Sequence, residues 1–258
     1  MTLTPAGYVF LGVFGLMIGS FLNVCIARIP AGESVVTPRS RCPRCKTLIA
    51  WYDNIPVVSY LMLRGKCRKC GLAISAIYPA VEIVTALAFI GQGFAIGADP
   101  PLLLVRLAFT AALIVLFGTD VKTMRLPNVI TIPGIVVGLV CSVWVPPGIV
   151  PSLIGAALGA AVPWLIRFVW FRITGVEAMG LGDVKMLAMI GAFLGWQQVW
   201  VVLFFASLTG ALVGVAMLLI HKRSLASRLP FGTFLAVAAY AASVVGGPIV
   251  SWYVGLYK

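Results

Sequence analysis

The stretch that decides the fold is RCPRCKTLIAWYDNIPVVSYLMLRGKCRKCG, at residues 41–71. It belongs to the only long polar segment of the chain, residues 28–76, and apolar runs of membrane-spanning length lie on both sides of that segment. Nine of the 19 Lys and Arg residues lie between Arg28 and Lys69. Because basic residues accumulate in the cytoplasmic loops of membrane proteins, we expect this segment to face the cytoplasm and to set the orientation of the helices around it.

The composition is that of a multi-pass membrane protein. Of 258 residues, 61% are hydrophobic and only 10% are charged, whereas a soluble domain carries about 25% charged residues. The first apolar run, residues 5–27, is too long for the core of a signal peptide and is expected to be a retained helix. The net charge of +12 lies in loops and is not interleaved with aromatic residues, so we expect no nucleic-acid partner.

Eight apolar runs indicate helices, at residues 5–27, 77–97, 101–119, 129–146, 149–171, 184–196, 199–220 and 231–255. The sequence therefore predicts an all-α polytopic membrane protein of about eight transmembrane helices, with a small cytoplasmic domain between the first two. The sixth run is short, so it is either a half-helix or begins before Asp183. Loops with basic residues alternate with loops that lack them, which places both chain termini on the outer side.

The polar segment carries two CxxC pairs separated by 21 residues, formed by Cys42, Cys45, Cys67 and Cys70. This spacing predicts one structural zinc ion per chain, because four protein thiolates leave no coordination position for substrate or water. Disulfide bonds are the first alternative, but they are disfavoured on the reducing side of the membrane. A redox-active pair is the second, and it would need only one CxxC. Cys25 and Cys141 lie in apolar runs and are expected to serve in packing.

Two aspartates from distant parts of the sequence are expected at the same membrane depth. Asp120 lies at the inner end of the third run, and Asp183 lies at the inner start of the sixth, after Gly180 and Gly182. Such a pair can act as a general base and a general acid, and the two glycines would let a substrate backbone approach. Helix capping and an ion or proton relay are the alternatives, and the spacing alone does not separate them.

Two glutamates have open roles. Glu82 lies inside the second run, where it could hydrogen-bond to neighbouring elements or anchor a substrate amine. Glu177 could tune the aspartates or contact a basic substrate segment, and a simple helix-end charge is equally compatible with its position. His221 lies among basic residues and is not expected to act as a base.

Seven motifs occur in a fixed order along nearly the whole chain: IGSFLNVCIARIP (18–30), AWYDNIPVVSYL (50–61), LRGKCRKCG (63–71), YPAVEIVTALAF (78–89), DVKTMRLPN (120–128), GLGD (180–183) and LPFGTFLA (229–236). With these motifs the chain resembles the type IV prepilin leader peptidases, also called prepilin peptidase/N-methyltransferases. The resemblance implies an intramembrane aspartyl protease of the GxGD type. It implies that Asp120 and Asp183 are the catalytic residues.

The resemblance also implies substrates, a cofactor and a location. The expected reaction removes the basic leader of type IV prepilins or pseudopilins after a glycine, at the cytoplasmic face of the bacterial inner membrane. The new N-terminal residue is then methylated with S-adenosylmethionine, an activity associated with the zinc-binding segment. No G-x-G-x-x-G fingerprint is present, so the methyl donor would need an unconventional site.

The implied domains are a first transmembrane helix (1–27), a zinc-binding, methyltransferase-associated domain (28–76) and a transmembrane protease domain (77–258). A peptidase without methyltransferase activity, in which the zinc-binding loop only docks substrate, is one alternative. A zinc-stabilised channel or proton-coupled transporter that uses the acids as a relay is another.

Overall fold

The structure is a computed structural model, and it describes residues 2–176, 179–221 and 229–255. These residues form nine α-helices: α1 (Pro5–Arg28), α2 (Val58–Met62), α3 (Ile77–Ile96), α4 (Pro100–Thr123), α5 (Asn128–Cys141), α6 (Ile149–Thr174), α7 (Leu181–Leu194), α8 (Trp196–His221) and α9 (Phe231–Gly255). In this part of the chain the only β-type pairing is two single bridges, Arg41 with Leu48 and Lys66 with Ala73. The predicted all-α class is therefore confirmed.

All eight predicted helices are present, with ends that differ by a few residues. Five of them, α1, α3, α4, α6 and α8, are long and apolar enough to cross a membrane, so the chain is a multi-pass membrane protein. The fourth run ends earlier than expected, at Cys141; residues 142–144 form a turn, and Pro146 and Pro147 follow it. The sixth, α7, has 14 residues. It begins at Leu181, before Asp183, which is one of the two possibilities expected for this run.

The chain divides into two compact units, Met1–Leu103 and Leu104–Lys258. In the first unit, α1 packs against α3 at very short range. A Cβ atom at Gly15 would lie 2.6 Å from the Cα atom of Ala86, so no larger residue fits without moving a helix. Small residues at such a crossing are the usual means by which helices approach closely in lipid.

In the second unit, α7 is the central helix. Every residue from Met186 to Leu194 is buried, and α7 contacts α5, α6, α8 and α9. The aromatic ring of Phe109, on α4, stacks on that of Phe193 with 4.7 Å between centroids. Because a helix that is buried on all sides cannot tilt without repacking the core, packing fixes the position of α7.

Candidate active site

Asp120 lies in the last turn of α4, and its side chain is directed at the start of α9. The residue is buried, with 4% of its surface exposed. Its Oδ2 atom accepts a hydrogen bond from the backbone N–H of Thr233 at 2.8 Å, and the Thr233 hydroxyl lies 3.1 Å from the same oxygen. A carboxylate near the C-terminal end of its own helix is electrostatically disfavoured. Helix capping of α4 therefore does not explain Asp120.

Asp183 is the third residue of α7, and it does make a capping contact. Its Oδ2 atom accepts a hydrogen bond from the backbone N–H of Gly180, the residue before the helix, at 3.2 Å. The N-terminal end of a helix favours a negative charge, so both this bond and the dipole of α7 stabilise the ionised carboxylate. Asp183 therefore does cap α7, as one alternative expected. Capping does not account for Asp120.

Leu126, in the connection between α4 and α5, lies against the segments that carry both aspartates. A Cβ atom at Gly182 would lie 3.0 Å from the Cβ atom of Leu126, and one at Gly232 would lie 2.9 Å from its Cδ1 atom. The same added Cβ atom at Gly232 would also lie 2.9 Å from Oδ2 of Asp120. The segments that carry the two aspartates therefore meet around the side chain of Leu126, within one unit.

The two glycines of the GLGD motif have packing reasons of their own. Gly182 leaves room for Leu126, and the peptide N–H of Gly180 binds Asp183. Their predicted role in admitting a substrate backbone stays a prediction.

No lysine neutralises the aspartates in the part of the chain that is described. Neither carboxylate has a salt bridge to the described cations, and the ion pair found there joins Arg68 to Asp53. Lys185, two residues after Asp183, instead donates from Nζ to Oδ1 of Asn128 on α5 at 2.9 Å. Residues two positions apart in a helix point in different directions, which explains why Lys185 misses Asp183.

Glu82 belongs to the first unit and holds the polar loop. It is 7% exposed, and its Oε2 atom accepts a hydrogen bond from the backbone N–H of Val57 at 2.8 Å. Val57 has a φ of 60°, a strained value for a β-branched residue, so the bond fixes an unfavourable turn. Of the two sequence-based interpretations, this contact supports the structural one. Glu177 and the side chain of His221 lie outside the described residues.

The four loop cysteines converge in the first unit. All of their Sγ atoms lie within 4.8 Å of one another, and none of the six cysteines of the chain forms a disulfide bond. The Cys42 and Cys70 sulfur atoms are 3.7 Å apart, and those of Cys45 and Cys67 are 4.0 Å apart. A tetrahedral zinc–thiolate site with bonds of about 2.3 Å has sulfur atoms about 3.8 Å apart. The cluster therefore has the dimensions of a metal site.

The backbone of the two knuckles supports the same interpretation. The N–H of Lys46 donates to the carbonyl of Cys42, and the N–H of Gly71 donates to the carbonyl of Cys67. Lys46 and Gly71 both have positive φ angles, 58° and 66°, so the two turns are equivalent.

The sequence did not identify Thr233 or Gly232 as site residues. Both belong to the LPFGTFLA motif, which was recognised without a role for any single residue. The available signal was local: Gly and Thr follow Pro230 at the start of a helix, where backbone N–H groups are unpaired. That those groups meet Asp120, more than a hundred residues away, is a tertiary contact that the pattern does not contain.

Replacing Thr233 with valine should lower kcat for the reaction proposed below about tenfold, the value of roughly one lost hydrogen bond. Valine keeps the backbone N–H that binds Asp120 and removes only the hydroxyl group. Thr233→Ser, the matched control, should retain most of the activity. Steady-state cleavage kinetics of the purified variants measure the difference, and equal rates for the valine and serine variants would exclude a role for the hydroxyl.

Fold and site together define a class: a multi-pass helical membrane protein with a buried and a half-buried aspartate at helix ends and a four-cysteine cluster able to hold a metal ion. The model of the bacterial peptidase A24 N-terminal domain matches residues 13–95, and that of the type IV leader peptidase family matches residues 107–215. The chain belongs to the type IV leader peptidase family. The first match contains the cysteine cluster, and the second contains both aspartates.

The names of similar proteins support this family membership. A prepilin leader peptidase/N-methyltransferase of Myxococcus xanthus is 43% identical over 85% of this chain and 66% of its own length. Proteins of the same name from Aeromonas salmonicida and Pseudomonas aeruginosa are 37% and 35% identical, each over 93% of this chain and 91% of the relative. No solved structure matches the chain significantly.

Proposed function

We propose that this protein is an intramembrane aspartic endopeptidase that removes the leader of type IV prepilins or pseudopilins and then N-methylates the exposed residue. Family membership and the names of the relatives support the reaction. The observation that carries the proposal is geometric: the end of α4, with Asp120, and the start of α7, with Asp183, lie around Leu126 within one unit. Neither carboxyl group has a described cation to neutralise it, so the pair can share a proton.

The contacts suggest a division of roles between the two aspartates. The Thr233 hydroxyl lies 2.7 Å from the carbonyl oxygen of Pro230 and 3.1 Å from Asp120, and its single hydrogen cannot serve both acceptors. When it donates to Pro230, its oxygen can accept a hydrogen bond from a protonated Asp120. Asp183 accepts the N–H of Gly180 at the N-terminus of α7, and it has no described hydroxyl group that could accept a hydrogen bond from its protonated form. We therefore assign Asp120 as the initial acid and Asp183 as the initial base.

The proposed chemistry follows from these roles. Asp183 takes a proton from a water molecule, whose oxygen attacks the carbonyl carbon of the leader's last glycine. Asp120 donates its proton to the carbonyl oxygen as the tetrahedral intermediate forms. When the intermediate collapses, the C–N bond breaks, Asp183 gives its proton to the leaving amine, and the hydroxyl proton returns to Asp120. The dyad ends in its starting state.

We propose that this active site faces the cytoplasm, with the protein in the bacterial inner membrane. Lys122 and Arg125 follow Asp120, and Arg172 lies in the last turn of α6, before the GLGD motif. The positive-inside rule places such residues in the cytoplasm, where a basic prepilin leader remains.

Residues 28–76 form the proposed zinc-binding, methyl-transferring domain, between a first helix at 1–27 and the protease domain at 77–258. The zinc ion would be held by the four cysteines and would stabilise the loop. A groove of about 820 Å³ runs between α1 and this loop, with apolar walls that include Phe21 and Trp51 and with Arg28 and Arg39 among its polar groups. Its volume suits a cofactor, and we propose it for S-adenosylmethionine and the new pilin N-terminus.

Incubation of the purified protein with a synthetic prepilin and S-adenosylmethionine tests both activities. We expect mass spectrometry to show loss of the leader and gain of one methyl group at the new N-terminus. Cleavage without methylation would support the peptidase-only alternative. Ion flux in proteoliposomes with no cleavage at all would support a transporter and overturn the proposal.

A further inference from the structure

Arg167 is a cation inside the membrane-spanning helix α6, Ile149–Thr174. A charged side chain there is costly and is usually retained for a specific interaction. One of its terminal nitrogens, NH1, donates to the backbone carbonyl of Met179 at 2.6 Å. Met179 belongs to the segment that leads into α7, so Arg167 joins the side of α6 to the GLGD motif.

The carbonyl of Met179 and the N–H of Gly180 belong to the same peptide group. The guanidinium of Arg167 binds the oxygen of this peptide, and its N–H binds Oδ2 of Asp183 at 3.2 Å. A single planar peptide therefore connects a cation to the proposed catalytic carboxylate. Because the peptide is rigid, fixing its oxygen also fixes the direction of its N–H.

A positive charge on the carbonyl oxygen also polarises the amide. Hydrogen bonds in a chain strengthen one another, and more so where the surroundings have a low dielectric constant. The N–H of Gly180 thus becomes a stronger donor to Asp183 than an ordinary amide. The planar, multiply donating guanidinium holds such a carbonyl more firmly than an ammonium group would.

We propose that Arg167 is a positioning residue for Asp183, acting through the Met179–Gly180 peptide to orient the carboxylate and to stabilise it as the base. The inference rests on the proposed function, because it assumes that Asp183 is catalytic. The described contact of the Arg167 guanidinium is with the Met179 carbonyl, and the described ion pairs do not join it to Asp183. Its removal should therefore slow the chemical step while leaving substrate binding nearly unchanged.

Arg172 provides a matched comparison on the same helix. It lies in the last turn of α6, is exposed, and its guanidinium stacks on the ring of Phe168 at 4.9 Å. It is a cation of the same type with no described contact to the GLGD segment. Arg172→Met thus removes the same charge from the same helix without disturbing the Met179–Gly180 peptide.

The test compares Arg167→Met, Arg167→Gln and Arg167→Lys with Arg172→Met in full-length purified protein that cleaves a synthetic prepilin. We expect Arg167→Met to lower kcat about tenfold with KM within about twofold, since binding is not affected. Lysine, which keeps the charge, should recover more of kcat than glutamine, which keeps only a neutral donor. Arg172→Met should match the unmodified protein, and the melting temperature in detergent reports folding.

Three results would overturn the inference. Unchanged kcat in Arg167→Met would exclude it, as would equal kcat values for the lysine and glutamine variants. A rise in KM alone would indicate a substrate contact instead. If Arg167→Met fails to fold, the lysine–glutamine comparison still decides. Asp183→Asn in the same assay separates the two ideas: if that variant cleaves normally, the proposed function of Asp183 has failed, whatever Arg167 does.

Discussion

Replacing either Asp120 or Asp183 with asparagine should stop leader cleavage, lowering kcat by about a thousandfold or more. Each substitution removes the only proton-transferring group at its position. An amide cannot take a proton from water, and it cannot donate the carboxylic proton to the carbonyl oxygen. Single-turnover cleavage of a synthetic prepilin at excess enzyme measures the chemical step directly.

The asparagine variants should fold normally, because an amide oxygen can replace the carboxylate as acceptor. The Oδ1 atom of asparagine can still accept the backbone N–H of Thr233 at position 120 and that of Gly180 at position 183. Asp99→Asn is the matched control. Asp99 precedes α4 and accepts the N–H of Leu102 at 3.3 Å, so the change alters a carboxylate at the other end of the helix that carries Asp120. It should retain full activity.

The two substitutions should not be additive. If the aspartates act as one unit, the double variant loses little more than either single variant, because the second group has nothing left to cooperate with. Normal cleavage by either single variant would refute the assignment. A double variant that is slower by the product of the two single effects would instead indicate two independent contributions.

The helices of this fold could be predicted from the sequence because lipid leaves few alternatives. Every backbone group must be paired within the membrane, so an apolar run of sufficient length forms a helix. The misplaced end of α5 shows where this rule stops. Residues 142–146 are apolar enough to extend the run, but the chain turns at residues 142–144, directly before Pro146 and Pro147, so local turn structure overrides hydropathy.

The candidate site was predictable where its residues are chemically unusual in their surroundings. An aspartate at the edge of an apolar run is conspicuous, and four cysteines at knuckle spacing are more so. Thr233 and Arg167 were not predictable, since each contact involves a backbone group: Thr233 binds Asp120 with its own N–H, and Arg167 binds the Met179 carbonyl. Backbone donors and acceptors occur at nearly every residue, so the sequence does not indicate which of these groups contact a site residue.

Removing one cysteine of the cluster should release the metal and abolish methylation while leaving leader cleavage in place. A structural zinc site needs all four thiolates, and Cys42→Ser or Cys70→Ser leaves three. Ser40 and Ile49, which flank the first CxxC pair, form part of the wall of the proposed methyl-transfer groove. Elemental analysis and the mass of the processed pilin measure the two losses. Cys141→Ser, outside the cluster, should retain both metal and methylation.

The outcome for cleavage decides what the loop does. The aspartates and their contacts lie within residues 104–258, whereas the cluster lies within residues 1–103. If Cys42→Ser loses methylation alone, the loop belongs to methyl transfer. If cleavage falls as well, with a higher KM and unchanged kcat, the loop docks the substrate for both reactions. Full metal content and normal methylation in Cys42→Ser and in Cys70→Ser would contradict a four-cysteine site, because a tetrahedral thiolate centre does not survive the loss of a ligand unchanged.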